Sequence, residues 1–189
     1  MQENENRNVK EYEIWQYLCR ELSKLNNIIY AYNKIFFNIE IKDKNYGQIF
    51  QLILDSFTRN ISVSIDLFFQ KRKDVWSLYS FDKINKNEIE KIKKKAQQFI
   101  IMRNNKIAHL SNNITHKDNF QFFTLKGINQ IREIVKEMEN LLKKVSDKYE
   151  FRADYIFNWQ MIDSSLDCLI NDLKKYDLFN NSKITIRRY

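Results

Sequence analysis

Apolar residues recur every three or four positions along most of this chain, a spacing typical of amphipathic helices. The first stripe begins near Val9 and is long enough that we expect a bend at Asn26 and Asn27. Residues 1–8 are polar and are predicted to form a disordered N-terminus, and residues 39–45 a polar connector. The apolar members of the stripe are Tyr12, Trp15, Leu18, Cys19, Leu22, Leu25, Ile29, Tyr32, Ile35, Phe36 and Ile39.

Two more helical patterns occupy the middle of the chain. One runs from about Tyr46 to Gln70, and the other begins near Glu88 and closes at Leu110. Between them, the basic segment 71–74 breaks the pattern, and a short helix is predicted over residues 75–78. The apolar positions are Ile49, Leu52, Ile53, Phe57, Ile61, Ile65 and Phe68 in the first pattern, and Ile89, Ile92, Ala96, Phe99, Ile100, Ile107 and Leu110 in the second.

The last third of the chain predicts two further helices. Residues 111–123 are predicted to form a loop, after which Thr124 can cap a helix. A fifth helix covers roughly residues 152–176, and residues 177–189 form a short C-terminal extension that alternates like a strand or a basic tail. The two stripes are Ile128, Ile131, Val135, Met138, Leu142, Val145 and Tyr149, then Trp159, Ile162, Leu166, Leu169, Ile170 and Leu173. Together the patterns predict an all-α, up-and-down bundle of four to five main helices in a single domain, residues 1–189.

The composition supports a helical fold and suggests a location. Proline is absent and glycine occurs only at Gly47 and Gly127, whereas sandwiches and barrels need many turns rich in both. Cys19 and Cys168 lie far apart, so neither a disulfide framework nor a zinc site is indicated. Because the chain has no signal-peptide core and no apolar run of membrane-spanning length, we expect a soluble, cytoplasmic protein without membrane contact.

The net charge of +8, with a pI near 9.3, favours a polyanionic partner such as nucleic acid. The alternative is that this charge only maintains solubility. A basic run leads along the third predicted helix toward Arg103, and its simplest interpretation is a solvated helix face. The run consists of Lys91, Lys93, Lys94 and Lys95.

The sequence excludes several kinds of catalytic site. His109 and His116 are the only histidines, and carboxylates or thiols at ligand spacing are missing, so neither a metal nor a cofactor is expected. Two glycines so placed cannot form a phosphate-binding loop. A serine hydrolase needs its nucleophile on a strand-to-helix turn, which an all-helical chain lacks.

One segment, residues 100–110, departs from the apolar pattern. Arg103 falls on the stripe where the period requires Leu or Ile, and a guanidinium buried without an anion would cost several kcal/mol. His109 follows six residues later and would lie about 120° away around a straight helix. The two side chains therefore meet only if the helix ends or kinks here, or if two copies bring their motifs together across a dimer axis.

The polar residues of this segment suit attack on a phosphodiester. A histidine can take the proton of a ribose 2′-hydroxyl or protonate the leaving 5′-oxygen, and an arginine can stabilise charge on the non-bridging oxygens. No metal is needed when the 2′-hydroxyl is the nucleophile. The structural alternative is a helix C-terminus that carries a dipole-compatible His109 and an Arg103 whose head group reaches water.

The second helix adds two candidate supporting carboxylates, Asp55 and Asp66. Asp66 follows Ser62 by four residues, and both adjoin the apolar face. One interpretation places these groups on a solvated edge. The other is that one carboxylate reaches across the bundle and holds Arg103 or His109 in place.

The run Arg103-Asn104-Asn105-Lys106-Ile107-Ala108-His109 resembles the Arg-Asn-x4-His form of the R-x4–6-H motif of the HEPN superfamily. These are helical nucleotide- and nucleic-acid-binding domains. The resemblance includes the position of the motif, which follows an Ile-Met pair at the end of a long central helix and closes in the run Ala-His-Leu-Ser. The length and the helical pattern are similar to those of bacterial HEPN proteins of the abortive-infection group, over residues 28–176.

The resemblance implies a metal-independent endoribonuclease of phage defence or of a toxin–antitoxin system. In such a protein two motifs face one another in a basic cleft of a homodimer. Arg103 would stabilise the phosphate, His109 would act as acid or base, and Asn104 would orient the phosphate or the catalytic pair. RNA and a second copy of the chain are the implied partners, together with a protein antitoxin or a nucleotidyltransferase.

HEPN toxins modified by a nucleotidyltransferase carry Tyr two residues after the histidine, whereas this chain has Ser111, which argues against control by nucleotidylation.

Two alternatives remain open. Because many HEPN domains are catalytically silent, the chain could instead be a nucleotide-, RNA- or partner-binding module. A helical dimer with a purely structural role is the third interpretation, in which Arg103 affects only stability or association.

Overall fold

The computed structural model describes residues 2–41, 44–102, 125–151, 168 and 184–186. Four long α-helices contain most of these residues, and the prediction of an all-α bundle is confirmed for them. The predicted loop 111–123 lies outside the described residues, as does the predicted fifth helix apart from the helical Cys168. The four helices are α1 (Gln2–Asn38), α2 (Lys44–Phe68), α3 (Lys86–Met102) and α4 (Leu125–Tyr149).

Helices α1 and α4 run antiparallel. Trp15 Nε1 donates a hydrogen bond to the carbonyl oxygen of Leu142 at 3.0 Å, and the rings of Tyr12 and Phe151 meet edge to face with centroids 5.3 Å apart. Earlier residues of α1 therefore lie beside later residues at the end of α4. Since α1 also packs against α2, α2 against α3 and α3 against α4, the described helices form an up-and-down ring of four.

Helix α3 also runs antiparallel to its two neighbours. Near its start, Glu88 accepts a hydrogen bond from Lys144 of α4 at 3.0 Å. Farther along, Gln98 Nε2 donates to Gln130 Oε1 at 2.9 Å. On the other side, Lys93 Nζ donates to the carbonyl oxygen of Phe69, just after α2, at 3.5 Å. These contacts give the height of α3 relative to α2 and α4 to within about one helical turn.

The predicted bend in α1 does not interrupt the helix. Helix α1 begins at Gln2, before the expected start near Val9, and continues through Asn26 and Asn27. Asn26 is buried, and its neighbour Leu25 is fully buried in the stripe. Asparagine lowers helix stability by well under 1 kcal/mol, and burial of the adjacent apolar side chains outweighs that penalty.

The segment between α2 and α3 contains a 3-10 helix, Leu78–Ser80, in place of the helix predicted over residues 75–78. The Ser77 hydroxyl accepts a hydrogen bond from the Tyr79 N–H at 3.2 Å, and Ser80 Oγ accepts one from the Ser77 N–H at 3.1 Å. This reciprocal capping satisfies the first free N–H groups. The short helix therefore begins after Ser77.

A two-stranded antiparallel ladder follows α1. Strand β1 (Ile39–Ile41) pairs with strand β2 (Ile184–Ile186), and Glu40 lies opposite Thr185. The prediction of a polar connector is wrong for residues 39–41, because a segment distant in sequence supplies the backbone hydrogen-bond partners. For residues 184–186, the strand interpretation of the alternating C-terminal pattern is confirmed.

The apolar stripes build the core. In α1, α3 and α4 the stripe members whose burial is described are buried, apart from the half-buried Tyr12. In α2 the later members, Ile61 to Phe68, follow this rule, but Leu52 is 67% and Ile53 37% exposed. Because α2 and α3 run antiparallel, Leu52 lies nearer the start of α2 than the level at which the described part of α3 ends, at Met102. The first half of the α2 stripe therefore does not enter the core of the described helices.

The two cysteines give a direct test of this core. Cys19 is 3% exposed and burial raises the pKa of its thiol to about 12, whereas Cys168 is exposed. At mildly alkaline pH Cys19 of the native protein therefore stays protonated, and the protonated thiol does not react with alkylating reagents. We expect iodoacetamide to modify Cys168 and to spare Cys19 until denaturant is added, as measured by peptide mass spectrometry. Equal labelling of both cysteines in native buffer would contradict the buried position of Cys19.

Candidate nucleic-acid site

The three predicted catalytic residues, Arg103, Asn104 and His109, lie outside the described residues. Helix α3 is described as far as Met102, which directly precedes Arg103. The structure therefore gives the surroundings of this end of α3, namely the facing parts of α2 and α4, without placing the three side chains.

The contact between α3 and α2 gives the height of Met102. Lys93 lies beside Phe69, and Met102 lies nine residues farther along α3. Because the two helices are antiparallel and both rise about 1.5 Å per residue, Met102 is level with about Asn60 of α2. The end of α3 is thus opposite the middle of α2.

The contact between α3 and α4 gives the height of Met102 relative to α4. Gln98 lies beside Gln130, and Met102 is four residues farther along α3. Counting four residues back along α4 reaches Lys126, in the first turn of that helix. The described end of α3 therefore points to the beginning of α4.

A row of buried polar side chains on α2 crosses this level. Thr58, Ser62 and Asp66 are spaced by four residues and so share one helix face, and they are 4%, 0% and 7% exposed. We call these three residues the α2 polar row. Asp66 accepts a hydrogen bond from the side chain of Gln70. The sequence pattern identified Ser62 and Asp66 as adjoining the apolar face, and the structure adds Thr58.

Tyr32 of α1 meets the polar row and distinguishes the two candidate carboxylates. Its side chain is 3% exposed. Burial raises the pKa of the Tyr32 phenol well above its usual range, and the charge of Asp55 raises this pKa further. The interaction with Thr58 lowers it by a smaller amount. Asp55 is exposed and lies near this phenol. Asp66 is buried and lies about two helical turns beyond Thr58 along α2.

The Ser62 hydroxyl is buried and has no hydrogen-bond partner among the described residues. An unsatisfied buried hydroxyl is unfavourable, so we expect Ser62→Ala to raise the free energy of unfolding by about 1 kcal/mol. Urea denaturation followed by tryptophan fluorescence measures this change. Thr58→Val is the matched control at the next buried position of the same helix face, and it should lower stability because the Thr58 side chain interacts with Tyr32. Destabilisation by Ser62→Ala would instead reveal a partner of the hydroxyl outside the described residues.

A groove lies along the outer boundary of α3 and α4, and we call it the α3–α4 groove. It consists of one recess of about 700 Å³ and a second of about 760 Å³, with Lys95 in the lining of both. Its charged lining comprises five lysines and three carboxylates: Lys91, Lys94, Lys95, Lys126 and Lys144, with Glu88, Glu133 and Glu137.

Ion pairs neutralise part of this lining. Lys144 pairs with Glu88 at 3.0 Å, and Lys95 pairs with Glu137. The other three lysines of the groove are exposed and form no ion pair with a described residue. The groove therefore keeps unneutralised positive charge along the side of α3 that leads toward Met102.

The sequence identified only the α3 half of this groove. Lys126 and Lys144 were missed because they belong to a helix distant in the chain. The sequence signal that could have identified them is their position next to the apolar stripe of α4. Lys93, which the basic run included, lies on the opposite side, where it bonds to the carbonyl oxygen of Phe69.

A second basic surface, around residues 71–73, is better neutralised. Arg72 donates to both carboxylate oxygens of Asp74, at 3.0 and 2.5 Å. Lys71 pairs with Glu90 at 2.6 Å, and the hydrogen bond from Lys71 is the main cause that lowers the pKa of the Glu90 carboxyl. This surface therefore offers less free positive charge to an anion than the α3–α4 groove does.

Within the described part of the chain, no cluster of three His, Cys, Asp or Glu residues could hold a metal ion. Nor does any helix there have the length and apolar character needed to cross a membrane. Comparisons of the chain with protein-family models, with curated proteins and with solved structures give no match.

Proposed function

We propose that this protein is a metal-independent endoribonuclease of the HEPN type, with Arg103 and His109 acting at a dimeric site. One observation carries the proposal: the Arg-Asn-x4-His run follows Met102 directly, where the buried stripe of α3 reaches the level of the α2 polar row. If α3 continued into the motif, its charged residues would lie beside the polar groups of α2, where an ordinary core would be apolar.

The stripe of α3 indicates where Arg103 belongs. Ala96 and Phe99 are 0% and 1% exposed, and Arg103 follows them by seven and four residues, on the same face of a continued helix. A guanidinium there needs an anion or a polar partner. The α2 polar row and Tyr32 supply polar groups near this height, and a substrate phosphate would supply the anion.

Of the two candidate carboxylates, we propose Asp55 as the one that supports the site. Arg103 follows Lys93 by ten residues, and Arg59 precedes Phe69 by ten, so a continued α3 would bring Arg103 level with about Arg59 of α2. Asp55 lies about 6 Å along the helix axis from that height and Asp66 about 10 Å. Asp66 is also occupied by its hydrogen bond with Gln70.

The angular separation of the motif residues supports a dimeric site. About 120° of helix separates Arg103 from His109, so a straight helix cannot direct both at one phosphate. Two motifs related by a two-fold axis can combine an arginine of one copy with a histidine of the other. The exposed aliphatic side chains Val63 and Ile101, 44% and 46% exposed, lie near the same height and provide apolar surface for such contact.

In the proposed reaction the ribose 2′-hydroxyl attacks the adjacent phosphorus. His109 removes the 2′-hydroxyl proton or protonates the leaving 5′-oxygen, while Arg103 stabilises the charge on the non-bridging oxygens. Asn104 orients the phosphate or the catalytic pair. The products are a 2′,3′-cyclic phosphate and a 5′-hydroxyl. Such an activity suits a cytoplasmic role in phage defence or as the toxin of a toxin–antitoxin pair.

The test is incubation of the purified protein with RNA in the presence of EDTA. We expect cleavage with 2′,3′-cyclic phosphate ends, detected by mass spectrometry of the products. RNA that is bound but left intact would favour the second candidate, a catalytically silent binding module, for which the α3–α4 groove is the supporting observation. Cleavage that requires added metal would contradict the proposed mechanism.

A further inference from the structure

We infer that the α3–α4 groove binds the sugar–phosphate backbone of single-stranded RNA, at a site separate from the Arg103–His109 motif. The inference rests on the proposed function only in taking RNA as the ligand. Its physical basis is charge. Ion pairs occupy Glu88 and Glu137, so the described residues leave Lys91, Lys94 and Lys126 without an ion pair in the groove, beside one further carboxylate of its lining, Glu133.

The length of the groove suits several nucleotides. Lys126 and Lys144 lie eighteen residues apart on α4, which corresponds to about 27 Å along the helix axis. At about 3.4 Å or more per nucleotide, a strand of up to about eight nucleotides can lie between these two lysines. One end of the groove is level with Met102, so a strand held there would be directed toward the motif.

The floor of the groove favours a polyanion over an acidic amphipathic helix. Ile92, Ile134 and Leu141 line it, and they are only 7%, 0% and 2% exposed. A docked helix gains affinity by burying its apolar face against exposed aliphatic or aromatic side chains, and these three leave little of their own surface accessible. The other residues that line the groove are lysines, glutamates, asparagines and a glutamine, whose carbon stems carry polar or charged ends. Phosphate contacts need only the lysine ammonium groups at the rim.

The experiment measures binding of a fluorescent, unstructured single-stranded RNA to the full chain. Every protein carries His109→Ala, so that cleavage does not consume the probe. The groove variant combines Lys91→Glu, Lys94→Glu and Lys126→Glu. The matched control combines Lys10→Glu, Lys73→Glu and Lys136→Glu, which change the charge equally at exposed lysines outside the groove. Circular dichroism checks that both variants are folded.

The groove variant should weaken RNA binding about tenfold or more and reduce the slope of log affinity against log salt by about two, because three lysine–phosphate contacts are lost. The control variant should change both quantities much less. Equal weakening by the two variants would overturn the inference in favour of attraction by the whole positive surface. Binding of poly-glutamate that depends on the groove lysines, with RNA binding that does not, would assign the groove to an acidic protein instead.

A dinucleotide substrate separates this inference from the proposed function. It is too short to span the motif and the groove, so in the parental background its cleavage should depend on Arg103 and His109 and be unaffected by the groove substitutions. If no RNA is cleaved but binding still requires the lysines, the groove site stands and the ribonuclease proposal fails. If the groove variant binds and cleaves long RNA as the parent does, the groove inference fails alone.

Discussion

The substitution His109→Ala should lower the rate of RNA cleavage by about 10²–10⁴-fold, the usual contribution of a general acid or base. Alanine can neither accept the 2′-hydroxyl proton nor protonate the leaving oxygen. RNA binding should be nearly unchanged, because the proposed backbone contacts lie in the α3–α4 groove. The measurement is the initial rate of cleavage of a fluorescent RNA in EDTA, together with its dissociation constant.

The chain supplies a matched control in its other histidine, His116. His116→Ala makes the same chemical change seven residues away and should leave the cleavage rate within about twofold of the parent, since His116 lies outside the Arg-Asn-x4-His run and has no role in the proposed reaction. Cleavage at the parental rate by His109→Ala would remove this histidine from the mechanism. A joint loss of cleavage and of helical signal would indicate unfolding, and His109→Gln then provides the milder variant.

Mixing two inactive proteins should restore activity. Arg103→Ala and His109→Ala should each be inactive alone. In a two-fold dimer whose sites combine an arginine of one copy with a histidine of the other, each mixed dimer regains one intact site. An equal mixture that exchanges subunits should therefore recover about a quarter of the parental rate, since about half of the dimers are mixed and each carries one of two sites.

The result distinguishes the two geometries that the motif allows. If each site uses Arg103 and His109 of the same chain, brought together by a kink, mixed dimers contain no intact site and the mixture stays inactive. A mixture of His109→Ala with the double variant Arg103→Ala/His109→Ala is the control, because neither protein contributes a histidine. Sedimentation at the assay concentration must show a dimer, and a monomer that cleaves RNA would contradict the dimeric site.

Where the local pattern and the core agree, the sequence predicts the fold well. The predicted α3 and α4 stripes, from Ile89 to Ile100 and from Ile128 to Tyr149, are buried as expected, because a 3.6-residue period leaves one consistent inward face. The errors lie where distant residues decide. Residues 39–41 form a strand only because residues 184–186 pair with them, and the short helix begins after Ser77 because of side-chain capping.

For the candidate site too, some features are local to the sequence and others depend on contacts between distant residues. By itself the sequence supplied the elements of the proposed chemistry: an arginine at an apolar position of a helical pattern, a histidine six residues after it, and a positive balance of charge. Only the tertiary structure decided that Lys126 and Lys144 complete the groove begun by the α3 lysines, and that Asp66 is buried while Asp55 is exposed. Side-chain type and helical period are local properties of the chain. The height of one helix against another depends on contacts between residues far apart in sequence, and those contacts form only when the core packs.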